Sequence, residues 1–272
     1  MKQRRNFLSA AALLTLFRAS GTRAHQSQSM QSSPASSSST HDMSGIPADW
    51  RGNEKIAMLL YPGFTALDFV GPQYMFGNLM GAQIHLVSKT LDPVMSDTKL
   101  AIMPNATYDD IPKDLDIFFV PGAGSAIFDV MNDMSTMAFI QDRASRAKLV
   151  ASVCTGSVIL GKAGLLKGKR ATGHWISRQE LEVFGAIPVN ERVVWDGNLV
   201  TGAGVSAGLD LGLEIIGRLK GDFFAESIQL LAEYDPKPKY QSGRLETAKL
   251  EVRNLMERMF VGYRKKIRAM VP

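Results

Sequence analysis

The chain has a single cysteine, Cys154, set in VASVCTGSVILG at residues 150–161. Mostly apolar residues lead into it and a run of small residues leaves it, which reads as a strand, a sharp turn and a helix start. A side chain on such a turn is pushed above the sheet, next to a helix N-terminus. Backbone N–H groups and the helix dipole favour negative charge there, so the pattern predicts a thiol drawn towards thiolate, a nucleophile. A free cysteine is also among the most buried residue types, and a small buried hydrophobe fits the same string. The local pattern leaves both readings open.

Two titratable groups are candidate partners for the thiol. Asp68 sits in ALDFVGP at residues 66–72, among apolar residues at the start of a helical stretch. A helix cap accounts for a carboxylate there. A carboxyl group held protonated in an apolar cleft, acting as a general acid, accounts for it equally. His174, in ATGHW at residues 171–175, lies 20 positions after Cys154, and spacing alone does not bring its ring to the sulfur. A satisfied structural histidine is the simpler reading. Thr155, not histidine, follows the cysteine, so the Cys-His step of peptidase-like sites is missing. Four histidines and one cysteine give no metal-ligand spacing, and no GxGxxG or GxxxxGK[ST] string is present. No metal or organic cofactor is expected.

The elements that must position these groups alternate in type. Residues 55–61 (KIAMLLY), 83–88 (QIHLVS), 116–120 (DIFFV) and 149–153 read as strands. Residues 66–79, 136–147, 155–163 and 206–219 have helical spacing. Residues 191–201 read as a hairpin with an Asp196-Gly197 turn. Alternating strands and helices predict an α/β three-layer sandwich around a mostly parallel sheet, with ligands bound beyond the carboxyl ends of the strands. Pro62-Gly63, Pro121-Gly122 and Cys154 all follow strand ends and are expected to share that edge.

Several segments together resemble the ThiJ/PfpI superfamily, with its class I glutamine amidotransferase-like (flavodoxin-like) fold. They are LDFVGP at 67–72, PGAG at 121–124, SVCTGS at 152–157, AGLLKGKRAT at 163–172 and HW at 174–175. GAIPV at 185–189, ERVV at 191–194, DGNL at 196–199 and AGLD at 207–210 continue the match, and Gln229-Leu230 and Glu233-Tyr234 extend it late in the chain. The likeness runs from about residue 55 to 240. Aspartate at 68, where many members carry Glu, makes the chain look most like the isonitrile hydratase branch. That resemblance implies a lyase that adds water to an isonitrile, giving an N-substituted formamide. Cys154 would attack the isonitrile carbon to form a thioimidate, and Asp68 would deliver the proton to that carbon. The Thr155 N–H, with the Gly122 and Ala123 backbone, would steady charge, and the Thr155 hydroxyl would reach the acid or a water. Gly122, Ala123, Val70, Gln73, Gly204 and Val205 are the expected substrate-binding positions. Three departures fall on this wall: Ala123 replaces a usual Gly, Val70 a Thr and Gln73 a His. A homodimer acting on a small molecule is implied. A non-catalytic oxidation sensor or small-ligand binder, and another cysteine-dependent reaction such as glyoxalase-like chemistry, are the alternatives.

The N-terminus reads as an address. Residues 1–25 hold Lys2, Arg4, Arg5, Arg18 and Arg23 and no acid, with an apolar run at 7–17. Eleven residues are too few for a membrane span, which needs about 20. With QRRNFL at 3–8 this resembles a twin-arginine signal peptide cut near Ala24, and implies a periplasmic protein. Residues 26–48 read as a Ser-rich disordered linker, and 49–272 as one α/β domain with a charged helical tail. The five leader cations account for the entire net charge of +5, so the rest is neutral. Neither nucleic acid nor stable membrane association is expected. The tail, residues 246–268, is expected to dock on the domain or on a partner copy.

Overall fold

The computed structural model describes residues 42–270. The leader and most of the Ser-rich segment lie outside the described residues.

Seven strands form one sheet: β1 (Lys55–Leu59), β2 (Gln83–Ser88), β3 (Ala106–Thr107), β4 (Ile117–Val120), β5 (Leu149–Val153), β6 (Val193–Asp196) and β7 (Leu199–Gly202). Their order is β6-β7-β5-β4-β1-β2-β3, and every pairing is parallel except β6 with β7 at one edge. In β1, Ile56 to Leu59 are all fully buried, as are all four residues of β4. Central strands of a parallel sheet are covered on both faces, which is why these segments read as unbroken apolar runs. Each such large side chain contributes roughly 1.5–3 kcal/mol by leaving water.

The helices are α1 (Ala66–Gly77), α2 (Ala126–Asn132), α3 (Met134–Arg146), α4 (Gly156–Lys162), α5 (Ala207–Lys220), α6 (Asp222–Leu231), α7 (Leu250–Met259) and α8 (Val261–Arg268). Helices α1, α5 and α6 pack in sequence on one another, while α2 packs with α3 and α4. No described helix is long and apolar enough to cross a membrane.

Two sequence expectations shift. The hairpin turns on Gly197-Asn198, because Asp196 pairs with Leu199, and Gly197 takes a φ of 64°. The tail is two helices, broken at Phe260, rather than one.

The chain builds β1 to β3 outwards on one side, then returns to build β4, β5 and β7 on the other. The strand order therefore reverses between β1 and β4. Such a reversal leaves a crevice beyond the strand ends, the usual ligand position in open α/β sheets. Gly122 and Cys154 follow β4 and β5 at this point, and Asp68 enters on α1 after β1.

Candidate active site

Cys154 leaves β5 with a φ of 60° and is 5% exposed. A non-glycine residue in the left-handed region costs roughly 1–2 kcal/mol and persists where its surroundings hold it. Four hydrogen bonds do so. The Cys154 N–H donates to the carbonyls of Gly202 (3.2 Å) and Ala203 (2.8 Å). The Cys154 carbonyl accepts from the His174 N–H (3.2 Å) and from Ser157 Oγ (3.0 Å). Helix α4 then starts hard against the end of β4. A Cβ on Gly156 would lie 2.4 Å from the Val120 carbonyl oxygen, so only glycine fits there. The strained strand-to-helix elbow expected from the sequence is present.

Asp68 is fully buried in the first turn of α1. It does not cap its own helix: the Ala66 N–H donates to Asp97 Oδ1 (3.1 Å). Asp68 Oδ2 instead accepts from the Gly122 N–H (3.0 Å), 54 residues away. Its Oδ1 makes no regular hydrogen bond among the described residues. A carboxylate reserved for chemistry fits this better than a cap.

Burial pushes the Asp68 carboxyl up from 3.8 to about 7, against the pull of the Cys154 thiol and the Gly122 N–H. Burial, and then the Asp68 charge, push the Cys154 thiol well above its ordinary 9.0, with the Thr155 N–H pulling back. This corrects the expectation of a resting thiolate. Helix α4 has only seven residues, and its N-terminus is outweighed by desolvation, which moves fully buried groups by up to 3–5 pH units. The two groups behave as a unit that keeps one proton at neutral pH, gives up its first near pH 7 and holds the second far higher.

Thr155 Oγ1 accepts from the Ala123 N–H (2.8 Å) and donates to the Ala123 carbonyl (2.6 Å). The hydroxyl hydrogen is therefore committed to the loop after β4, which corrects the expectation that it reaches the acid. The Gly122 and Ala123 N–H groups are likewise committed, to Asp68 and Thr155, and are not free to steady charge. The Thr155 N–H is the amide left for the sulfur. A Cβ on Gly122 would meet Thr155 N at 2.6 Å and Asp68 Oδ2 and Thr155 Oγ1 at 2.7 Å each, so the loop touches acid and elbow at once.

Beside the elbow lies a cavity of about 380 Å³ whose lining includes Leu67, His174, Trp175, Arg178, Gly204 and Val205. The substrate-binding expectation at Gly204 and Val205 falls on this lining. Val70 and Gln73 do not: Val70 is 39% exposed on α1, and Gln73 Nε2 runs along the helix to Gly77. His174 Nδ1 accepts from the Ile176 N–H (3.3 Å), and burial with Arg178 pushes its pKa down to about 4. It is a neutral, structurally engaged imidazole. Among the described residues, no three His, Cys, Asp or Glu side chains are placed to hold a metal ion.

The sequence reading missed what the tail supplies. Tyr263 of α8 donates its hydroxyl to the Gly124 carbonyl (3.3 Å) and packs edge-on against Phe128. Phe260 links it to Trp175 on the cavity wall. Helix α8 is pinned by the fully buried Ile267 and by Arg268, which holds buried Glu180 through two bonds of 2.5 and 2.8 Å. The signal was three apolar residues, Phe260, Tyr263 and Ile267, at helical spacing among charges.

Residues 54–218 match the model of the DJ-1/PfpI family. Isonitrile hydratase of Pseudomonas putida is 46% identical over 194 residues, which cover 71% of this chain and 84% of that protein. An HTH-type transcriptional regulator of Pseudomonas aeruginosa is 30% identical over 199 residues, covering 70% of this chain and 53% of the regulator. The crystal structure of a ThiJ/PfpI family protein from Pseudomonas syringae is similar at a TM-score of 0.82 and 48% identity, over 85% of this chain and 98% of that one. An elbow cysteine after the fifth strand, a buried aspartate tied to the neighbouring loop and a family match spanning both accompany one another, and the chain belongs to the DJ-1/PfpI family.

Proposed function

We propose that the protein hydrates isonitriles to N-substituted formamides. The observation that carries this is the buried Asp68–Cys154 pair, which keeps one transferable proton at neutral pH. Its likeness to an isonitrile hydratase supports the substrate class.

The terminal carbon of R–N≡C is both electrophile and proton acceptor, so the reaction needs a sulfur nucleophile and an acid at one point. Cys154 Sγ bonds to that carbon while the shared proton passes through the Asp68 carboxyl to the same carbon, giving R–N=CH–S–Cys154. Water then adds to the carbon, Asp68 takes a proton from it and passes it to the thioimidate nitrogen, giving R–NH–CH(OH)–S–Cys154. The C–S bond breaks, releasing R–NH–CHO and restoring the thiol. The sum is one isonitrile and one water to one formamide. The Thr155 N–H stabilises charge on sulfur during attack and release; a donor of this kind is typically worth about 10²–10³ in rate. Export through the leader and assembly as a homodimer belong to the same proposal.

The test is to incubate the purified chain with an aryl isonitrile and follow formamide by chromatography, with Cys154→Ala as control. Formamide absent from the control supports the reading. No formamide from folded protein with a titratable thiol refutes it and favours small-ligand binding.

A further inference from the structure

From the cavity beside Cys154 we infer that the substrate is an isonitrile whose substituent carries a carboxylate, and that Arg178 is the residue that anchors it. The inference rests on the hydration reading and names the substrate class.

The cavity borders the segments that hold both reacting groups, with neither Cys154 nor Asp68 in its own lining. Its wall includes Ala203 and His174, which bond to the Cys154 backbone, and Leu67, next to Asp68. At about 380 Å³ the cavity is near the small end of ligand cavities, which suits one ring or a short chain. Leu67, Trp175 and Val205 offer apolar contact to such a body.

The charged side chains lining it are committed, with one exception. Arg192 pairs with Asp210 (2.6 Å from Nε) and donates to Ser206 Oγ (3.3 Å). Glu191 faces Arg170 (3.4 Å). Glu246 accepts from Asn190 (2.8 Å) and has Arg244 at 3.9 Å. Arg178 makes no ion pair or side-chain hydrogen bond among the described residues, although it is half-buried. Burial, with Arg244 adding to it, disfavours its charge, and Glu246 opposes them only in part. A guanidinium presents five N–H donors in a fork that matches a carboxylate.

A second donor stands beside it. Because His174 Nδ1 accepts from Ile176, the ring proton is assigned to Nε2, which lies 3.8 Å from the Cβ position at Gly204 on the cavity wall. The imidazole stays neutral at pH 7 and offers an N–H. Arg178 and His174 thus place two uncommitted donors on one wall, and the ligand end that matches them is an anionic acceptor. A carboxylate takes a guanidinium bidentately and a further N–H on its outer lone pair.

The test compares 4-isocyanobenzoate with 4-isocyanotoluene, isosteric apart from charge, on the wild type and on Arg178→Gln and Arg178→Lys. The wild type is expected to favour the benzoate at least tenfold in kcat/KM, through KM. In Arg178→Gln the ratio should fall to near one, with Arg178→Lys between them. A ratio that is unchanged in Arg178→Gln, or a wild type that prefers the toluene, overturns the inference. Calorimetry of 4-formamidobenzoate binding to Cys154→Ala, with and without Arg178→Gln, separates this from the hydration reading. If neither isonitrile is hydrated but Arg178-dependent binding remains, the hydration reading fails and the carboxylate site stands. No binding, or binding indifferent to Arg178, sinks the site.

Discussion

Replacing Asp68 by Asn should remove activity and, at alkaline pH, stabilise the fold. In the folded protein the carboxyl gives up its proton at about 7, whereas in the unfolded chain it does so near 3.8. The folded state therefore holds this proton better. As pH rises between those values, the wild type pays a growing cost that an amide does not. By linkage the full cost is about 4 kcal/mol above pH 7. Against this, Asn places an NH₂ where Oδ1 makes no regular hydrogen bond among the described residues, and a buried unsatisfied donor costs about 1–3 kcal/mol. The amide oxygen keeps the bond from the Gly122 N–H. The surplus is about 1–3 kcal/mol in favour of the variant at pH 8.5, or roughly 2–12 °C in Tm for a domain of this size. Below pH 4 the linkage contribution is gone and the variant should be equal or less stable. The assay is urea unfolding of both proteins from pH 3.5 to 8.5, taking the difference at each pH so that common titrations cancel. Parallel curves would show that Asp68 ionises as an ordinary carboxylate, and the argument for a shared proton would fall with them.

Four further outcomes follow from the same contacts. Activity should rise with pH through a midpoint near 7, as the pair passes from two protons to one, and a flat kcat/KM profile from pH 5 to 9 contradicts that. Gly122→Ala forces a methyl into gaps of 2.6–2.7 Å at acid and elbow together. It should cost about 1–3 kcal/mol in stability and, by displacing the acid, about 10²-fold in kcat, read by melting and by formamide release. Thr155→Val strips both hydrogen bonds from the Ala123 backbone. A loss of about 2–4 kcal/mol is expected, and wild-type unfolding would show the clamp to be dispensable. Both Cys154→Gly and Cys154→Ala should be inactive, but the glycine variant should be the more stable by about 1 kcal/mol because φ is 60° there; equal midpoints in urea would count against strain at the elbow.

Much of the fold was legible because its signals are local. The runs at 55–61 and 116–120 are apolar throughout since a central parallel strand is covered on both faces, and the chain writes that directly. The elbow at Cys154 was legible for the same reason: strand, turn residue and glycine-tolerant helix start are neighbours in sequence. Other features depend on who meets whom. Whether Asp68 caps its helix was undecidable locally, because the bond it accepts comes from Gly122 and the cap from Asp97. The thiolate expectation failed because a helix N-terminus is visible in sequence while the depth of burial that opposes it is not. Val70 and Gln73 were placed on the pocket wall by analogy, and neither is among the residues lining the cavity beside the elbow.

By itself, then, the sequence determined the order of elements, the elbow at Cys154 and the neighbourhood of Asp68, since each is set by residues a few positions apart. The tertiary structure alone decided the ionisation of Asp68 and Cys154, the task of Thr155, the arrival of Tyr263 and the lack of a side-chain partner for Arg178 among the described residues. Each of those is a balance of desolvation against hydrogen bonds from segments tens of residues away, and only packing brings the two sides of that balance together.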